Sequence, residues 1–129
     1  KKIKNLIIQK NLSNKIHIIT SHYDICSIYK LSNIVISCSK KPESFGLTLV
    51  ESLFFNTPII ASNHGGPLEI IDEGINGLLY SSENENELSK KIDILRSLKL
   101  SNLDLSAKDN FSSKKMCREY LTKYLNLID

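Results

Sequence analysis

Short apolar runs recur along this chain, and between them apolar residues fall three or four apart. Lys15–Thr20 (KIHIIT), Asn33–Ser39 (NIVISCS), Thr57–Ser62 (TPIIAS) and Asn76–Tyr80 (NGLLY) are brief, aliphatic or β-branched, and bounded by polar or turn residues. That pattern predicts four strands, with Pro58 tolerated at the start of the third. Helical spacing predicts helices over Lys4–Lys10, closed by Asn11, and over Ile25–Leu31 and Leu47–Phe55. Gly65–Gly74 reads as a turn and a short helix, with Pro67 near its first position. Glu85–Leu98 carries Leu88, Ile92 and Leu95 on one face. Ser101–Ser106 is a polar loop, and Ser112 opens a last helix with Met116, Tyr120, Leu121 and Tyr124. Strands alternating with helices, each strand almost wholly apolar, mean a parallel sheet covered on both faces.

In such sheets ligands bind beyond the carboxyl ends of the strands. The stretch SCSKKPESFG follows directly on Ile34–Ser37, so it falls at the place where the architecture puts a site. Ser44-Phe45-Gly46 opens the helix Leu47–Phe55. The first amides of a helix lack internal partners and lie at the positive end of its dipole. A glycine there lets an anion approach, and the combination makes a phosphate seat. Glu43 lies just before this mouth. Glu51 lies five residues beyond Gly46, about 7.5 Å along the axis. Carboxylates repel phosphate but accept hydrogen bonds from hydroxyls. A ligand with a diphosphate in the middle and hydroxyls at both ends fits this layout, which describes a nucleotide sugar.

Composition narrows the alternatives. The chain has 129 residues, enough for one domain, with 41% hydrophobic and 24% charged residues. Its net charge of +3 comes from 17 basic and 14 acidic residues, and the lysines are scattered, which argues against nucleic-acid binding. Cys26, Cys38 and Cys117 form no CxxC pair, pointing to a reducing cytosol. No run approaches the roughly 20 apolar residues of a membrane helix. His17, His22 and His64 share no metal spacing. His17 reads as a strand side chain, His22 as a residue near a helix start, and His64 as a polar loop residue. Cys38 reads as a small filler. With no G-x-G-x-x-G after any strand, a dinucleotide-binding oxidoreductase domain is disfavoured.

PESFGLTLVE resembles the E-x7-E signature of retaining glycosyltransferases with the GT-B fold. TPIIASNHGGPLEII is similar to that family's G-x-P-V-I-A-s-x-x-G-G-x-x-E-i. GINGLLY matches its g-x-n-G-l-L-v, and IYKLSNIVISCS resembles its l-Y-x-x-a-d-v-x-v-x-P-S. The series runs in order over most of Lys15–Leu98. The resemblance implies an α/β fold: a Rossmann-like parallel sheet flanked by helices, the C-terminal half of a GT-B enzyme. It implies a donor-binding part of a glycosyltransferase that uses a UDP- or GDP-sugar, with no cofactor and no metal, in cell-envelope glycan or glycolipid synthesis. By the same resemblance Glu43 meets the donor sugar at the catalytic centre. Ser44, Phe45, Gly46, Leu47 and Thr48 line the sugar and phosphate positions, and Glu51 holds the ribose. Gly65, Gly66 and Glu69 read equally as a ligand-lining loop or a plain turn.

The sequence also departs from the family pattern. Thr20-Ser21, Asn56 and Cys38 stand where the family has Gly, Gly and Pro. The family's first donor-domain strands, with an Arg and a Lys for the diphosphate, have no counterpart here, and Lys40 and Lys41 do not match that pair. Residues 1–129 therefore read as a single partial donor-binding domain. On this reading it lacks its first strands and the N-terminal acceptor domain, and is inactive in isolation. The expected setting is cytoplasmic, with any contact at the inner membrane face residing in the absent half. The alternative is a truncated remnant that binds nucleotide without transfer.

Overall fold

A computed structural model describes residues 2–20, 24–97 and 111–125. In chain order its elements are α1 (Lys2–Gln9), α2 (Ile25–Leu31), β1 (Val35–Ser37), α3 (Leu47–Phe54) and β2 (Ile59–Ser62). They continue with α4 (Pro67–Ile70), β3 (Gly77–Tyr80), α5 (Glu85–Ser97) and α6 (Ser113–Leu125). The strands form a parallel sheet in the order β1-β2-β3, with Val35 opposite Ile59 and Ile59 opposite Gly77.

Two apolar layers clamp this sheet. Leu49, Val50 and Leu53 of α3 pack with Ile59, Ala61, Ile70 and Ile71 on one side. Ile60, Leu78, Tyr80 and Leu95 pack on the other, where α5 adds Leu88 and Ile92. All four residues of β2 are buried, with successive side chains entering opposite layers, as a central parallel strand requires.

Polar side chains close the seams. Ser52 Oγ donates to Thr57 O at 2.7 Å, and Thr57 Oγ1 donates to Tyr29 O at 2.9 Å, tying α2 to the turn before β2. Asn76 is fully buried between α4 and β3. Its Nδ2 donates to Ile70 O at 3.0 Å while its Oδ1 accepts from Asp72 N at 3.0 Å. Helices α1 and α3 end alike. Asn11 (φ 53) and Asn56 (φ 56) take the left-handed conformation, and each is followed by a residue whose N–H reaches back five positions, Leu12 to Ile7 and Thr57 to Ser52. Asn56 stands where a glycine was anticipated, and its φ accounts for that: asparagine tolerates the left-handed region better than other residues with a Cβ.

The strand expected at Lys15–Thr20 is not formed. Ile16, Ile18 and Ile19 are 42%, 43% and 57% exposed, and no strand among the described residues pairs with them. A β-branched run has strand propensity, but a ladder needs a neighbour to complete it. The expected positions Leu98, His22 and Ser101–Ser106, and the side chains of Met116, Tyr120 and Tyr124, lie outside the described residues.

Candidate functional site

β1 ends at Ser37, and the chain then loops through Glu43 to Gly46, where α3 begins. Gly46 takes φ 89, ψ 56, a left-handed conformation that turns the loop into the helix. It carries no capping oxygen. The first helical bonds run from Leu49 N to Gly46 O at 3.0 Å and from Val50 N to the same oxygen at 3.4 Å. The amides of Leu47 and Thr48 therefore stand ahead of the hydrogen-bonded ladder, at the positive end of α3. Leu47 and Thr48 are exposed, as is Ser44. Phe45 is 47% exposed and meets the edge of Phe111, ring centroids 6.1 Å apart.

The loop leans on a second turn. Gly66 N donates to Glu43 O at 2.8 Å, and Glu43 and Gly65 form a parallel bridge. A methyl group on Gly65 would lie 2.6 Å from Glu43 O, and one on Gly66 would lie 2.3 Å from Phe45 O. Gly65 and Gly66 are thus glycines because the backbone of Glu43–Phe45 rests on them. Glu69, in the first turn of α4, is exposed.

The two acids are held separately. Glu43 is half-buried, and its Oε1 accepts from Ser37 Oγ at 3.4 Å. The Glu51 carboxylate accepts from the Tyr29 hydroxyl at 2.8 Å. Tyr29 stacks on Phe55 with centroids 5.8 Å apart. Burial, and next the hydrogen bond to Glu51, push the Tyr29 phenol up to about 12. Burial, and next the Cys38 thiol, do the same for Tyr80. Cys38 is exposed, so it is not the filler its sequence position suggested. It lines a cavity of about 270 Å³ with Lys40, Tyr80, Ser82, Glu83 and Leu88, distinct from the mouth of α3. Lys40 and Glu83 are ion-paired across it, which raises the lysine and lowers the glutamate.

The phenols give a pH prediction. Their folded-state values lie above the ordinary 10, so unfolded chains lose those protons first. Stability should therefore be fully present below pH 10 and fall as pH rises from 10 toward 12. Titration of tyrosinate absorbance should show late phenols, and Tyr29→Phe and Tyr80→Phe should each remove one.

The structure thus brings Glu43, Ser44, Phe45, Gly46, Gly65 and Gly66 into one backbone cluster. Thr48 lies in the first turn of α3 and Glu51 in the next, where its carboxylate accepts from the Tyr29 hydroxyl. Sequence reasoning had not assigned roles to Tyr29 and Ser37. Tyr29 lay within a quoted matching segment, but no spacing says that it reaches residue 51. No group of three or more His, Cys, Asp or Glu side chains could hold a metal among the described residues. No described helix is long and apolar enough to cross a membrane.

Comparison with known proteins agrees with the fold. Residues 1–111 match the family model described as Glycosyl transferases group 1. An uncharacterized glycosyltransferase of Methanocaldococcus jannaschii is 33% identical over 92 residues, covering 71% of this chain and 26% of its own. The crystal structure of a glycosyltransferase from Rickettsia africae superposes with a TM-score of 0.84 at 34% identity, over 99% of this chain and 36% of that one. The Anabaena protein HepE in complex with UDP-glucose shares the fold, with a TM-score of 0.84 at 22% identity over 97% of this chain and 36% of that chain. The chain thus spans about a quarter to a third of these relatives. Its three-stranded parallel sheet with flanking helices corresponds to their C-terminal Rossmann-like GT-B domain. With the model matched over residues 1–111 and the fold shared, the chain belongs to the glycosyl transferases group 1 family.

Proposed function

We propose that this chain is the donor-binding part of a retaining glycosyltransferase that takes a sugar from a nucleotide-diphosphate sugar. The observation that carries the reading is the start of α3, where the Leu47 and Thr48 amides precede the first helical bond, with Glu43 in the loop before them and Glu51 in the turn after them. In this reading the diphosphate rests on those amides, close to the backbone of Phe45 and Gly46. Glu51, already an acceptor toward Tyr29, takes hydrogen bonds from the ribose diol, and Glu43 takes them from the transferred sugar. Binding of UDP-glucose by HepE supports a uridine donor, with a GDP-sugar as the other candidate. The departing diphosphate helps to deprotonate the acceptor, so the protein supplies charge stabilisation and alignment rather than a nucleophile. Acceptor binding, and a place in cell-envelope glycan or glycolipid synthesis at the cytoplasmic side, belong to a longer parent enzyme.

The test is calorimetric titration with UDP-, GDP- and ADP-sugars. Glu51→Ala should weaken binding of the preferred donor by about tenfold or more, as loss of a charged hydrogen-bond acceptor does. An unchanged affinity would remove the ribose role. The second reading is a nucleotide-binding module without transfer. A sugar-transfer assay separates the two.

A further inference from the structure

His64 lies between β2 and α4, directly before the Gly65 that bridges to Glu43. Its backbone N–H donates to Ser62 O at 2.9 Å, which fixes the residue at the carboxyl end of the central strand. Both ring nitrogens, Nδ1 and Nε2, are shielded from solvent, and neither has a hydrogen-bond partner among the described residues. Buried polar atoms without partners are rare in folded proteins and costly, so this imidazole is suited to take a partner from a ligand, a water or a further segment of chain.

The chemistry of the orphan selects the partner. A neutral imidazole carries one N–H donor and one bare acceptor nitrogen. An ionised phosphate oxygen can only accept, so it suits the protonated nitrogen alone. A hydroxyl both donates and accepts, so it can satisfy whichever nitrogen it meets. The neighbouring loop residue, Glu43, is itself an acceptor suited to hydroxyls and unsuited to phosphate. Resting on the donor-site reading above, we propose that His64 is a second sugar-binding residue, whose imidazole hydrogen-bonds a hydroxyl of the sugar held at Glu43. A buried water is the competing occupant, and it would confer no preference between a nucleotide and its sugar.

The full chain, labelled with ¹⁵N, would be titrated with UDP-glucose, GDP-mannose and ADP-glucose, each beside its free nucleoside diphosphate. Backbone amides of Gly46–Thr48 report on the diphosphate, and the His64 ring nitrogens report on the sugar. The expected result is that one nucleotide moves those amides with or without its sugar, while the His64 nitrogens shift only when the sugar is attached. His64→Leu should then weaken the nucleotide sugar about tenfold and leave the free diphosphate within about twofold. His64→Asn, which keeps a donor and an acceptor, should recover part of the loss. Silent His64 nitrogens beside responding amides would overturn the inference alone, as would an equal response to the free diphosphate. Silence everywhere would overturn the donor-site reading, and the inference with it.

Discussion

Gly66→Ala should lower the unfolding free energy by about 3 kcal/mol, among the larger effects available to a single methyl group. The backbone at Gly66 is ordinary right-handed helix, φ −49 and ψ −37, so alanine meets no conformational strain there. The penalty is steric. The new carbon would sit 2.3 Å from Phe45 O, 2.6 Å from its carbonyl carbon and 2.9 Å from its Cα, and a peptide group cannot swing aside as a side chain can. The loop would have to lift, breaking the 2.8 Å bond from Gly66 N to Glu43 O and carrying Gly46 away from the mouth of α3. Gly74→Ala is the control. Gly74 has φ 78 but open space around its missing Cβ, so the substitution should cost about 1 kcal/mol from backbone strain alone. Urea unfolding of both variants checks the pair, and a Gly66→Ala loss no larger than that of Gly74→Ala would refute the contact.

Asn76→Leu should cost a similar amount, about 2–4 kcal/mol, through a different mechanism. Leucine keeps the branched outline but is bulkier, so crowding at this fully buried position adds to the loss. What is lost is the pair of bonds to Ile70 O, at the end of α4, and to Asp72 N, in the connection to β3. Asn76→Asp separates the two bonds. A carboxylate still accepts from Asp72 N but turns a negative oxygen toward Ile70 O in a fully buried position. Burial should raise that carboxyl above the ordinary value near 4, so the penalty should ease as pH falls and grow as pH rises through the folded-state value. Chemical unfolding at pH 4 and pH 7 reads the difference. A pH-independent loss would mean that the Ile70 bond contributes little.

Much of this architecture is written locally. α2 occupies the residues its spacing predicts, and α3 stops one residue earlier, at Phe54 rather than Phe55. The strands are shorter than their apolar runs because pairing, not composition, sets where a ladder begins. Val35 starts β1 because its N–H finds Pro58 O at 2.9 Å. Lys15–Thr20 shows the reverse: strand composition without a paired ladder. At the candidate site, the Gly46 turn was legible, because a glycine at a helix mouth has a local signature. The roles of Gly65 and Gly66 were left open, because a glycine that seats a distant loop resembles one that only turns the chain. The grip of Tyr29 on Glu51 joins residues 22 positions apart, and no periodicity encodes such a contact.

The two margins of the sheet are treated differently. On the β3 side, the Glu73 carboxylate accepts the outward N–H of Leu79 and is paired in turn with Lys91, so that rim is closed to newcomers. On the β1 side, Ile36 is 39% exposed, and its peptide groups alternate away from β2. Among the described residues no strand pairs with β1 on that margin, so a further strand can extend the sheet there without displacing any existing bond.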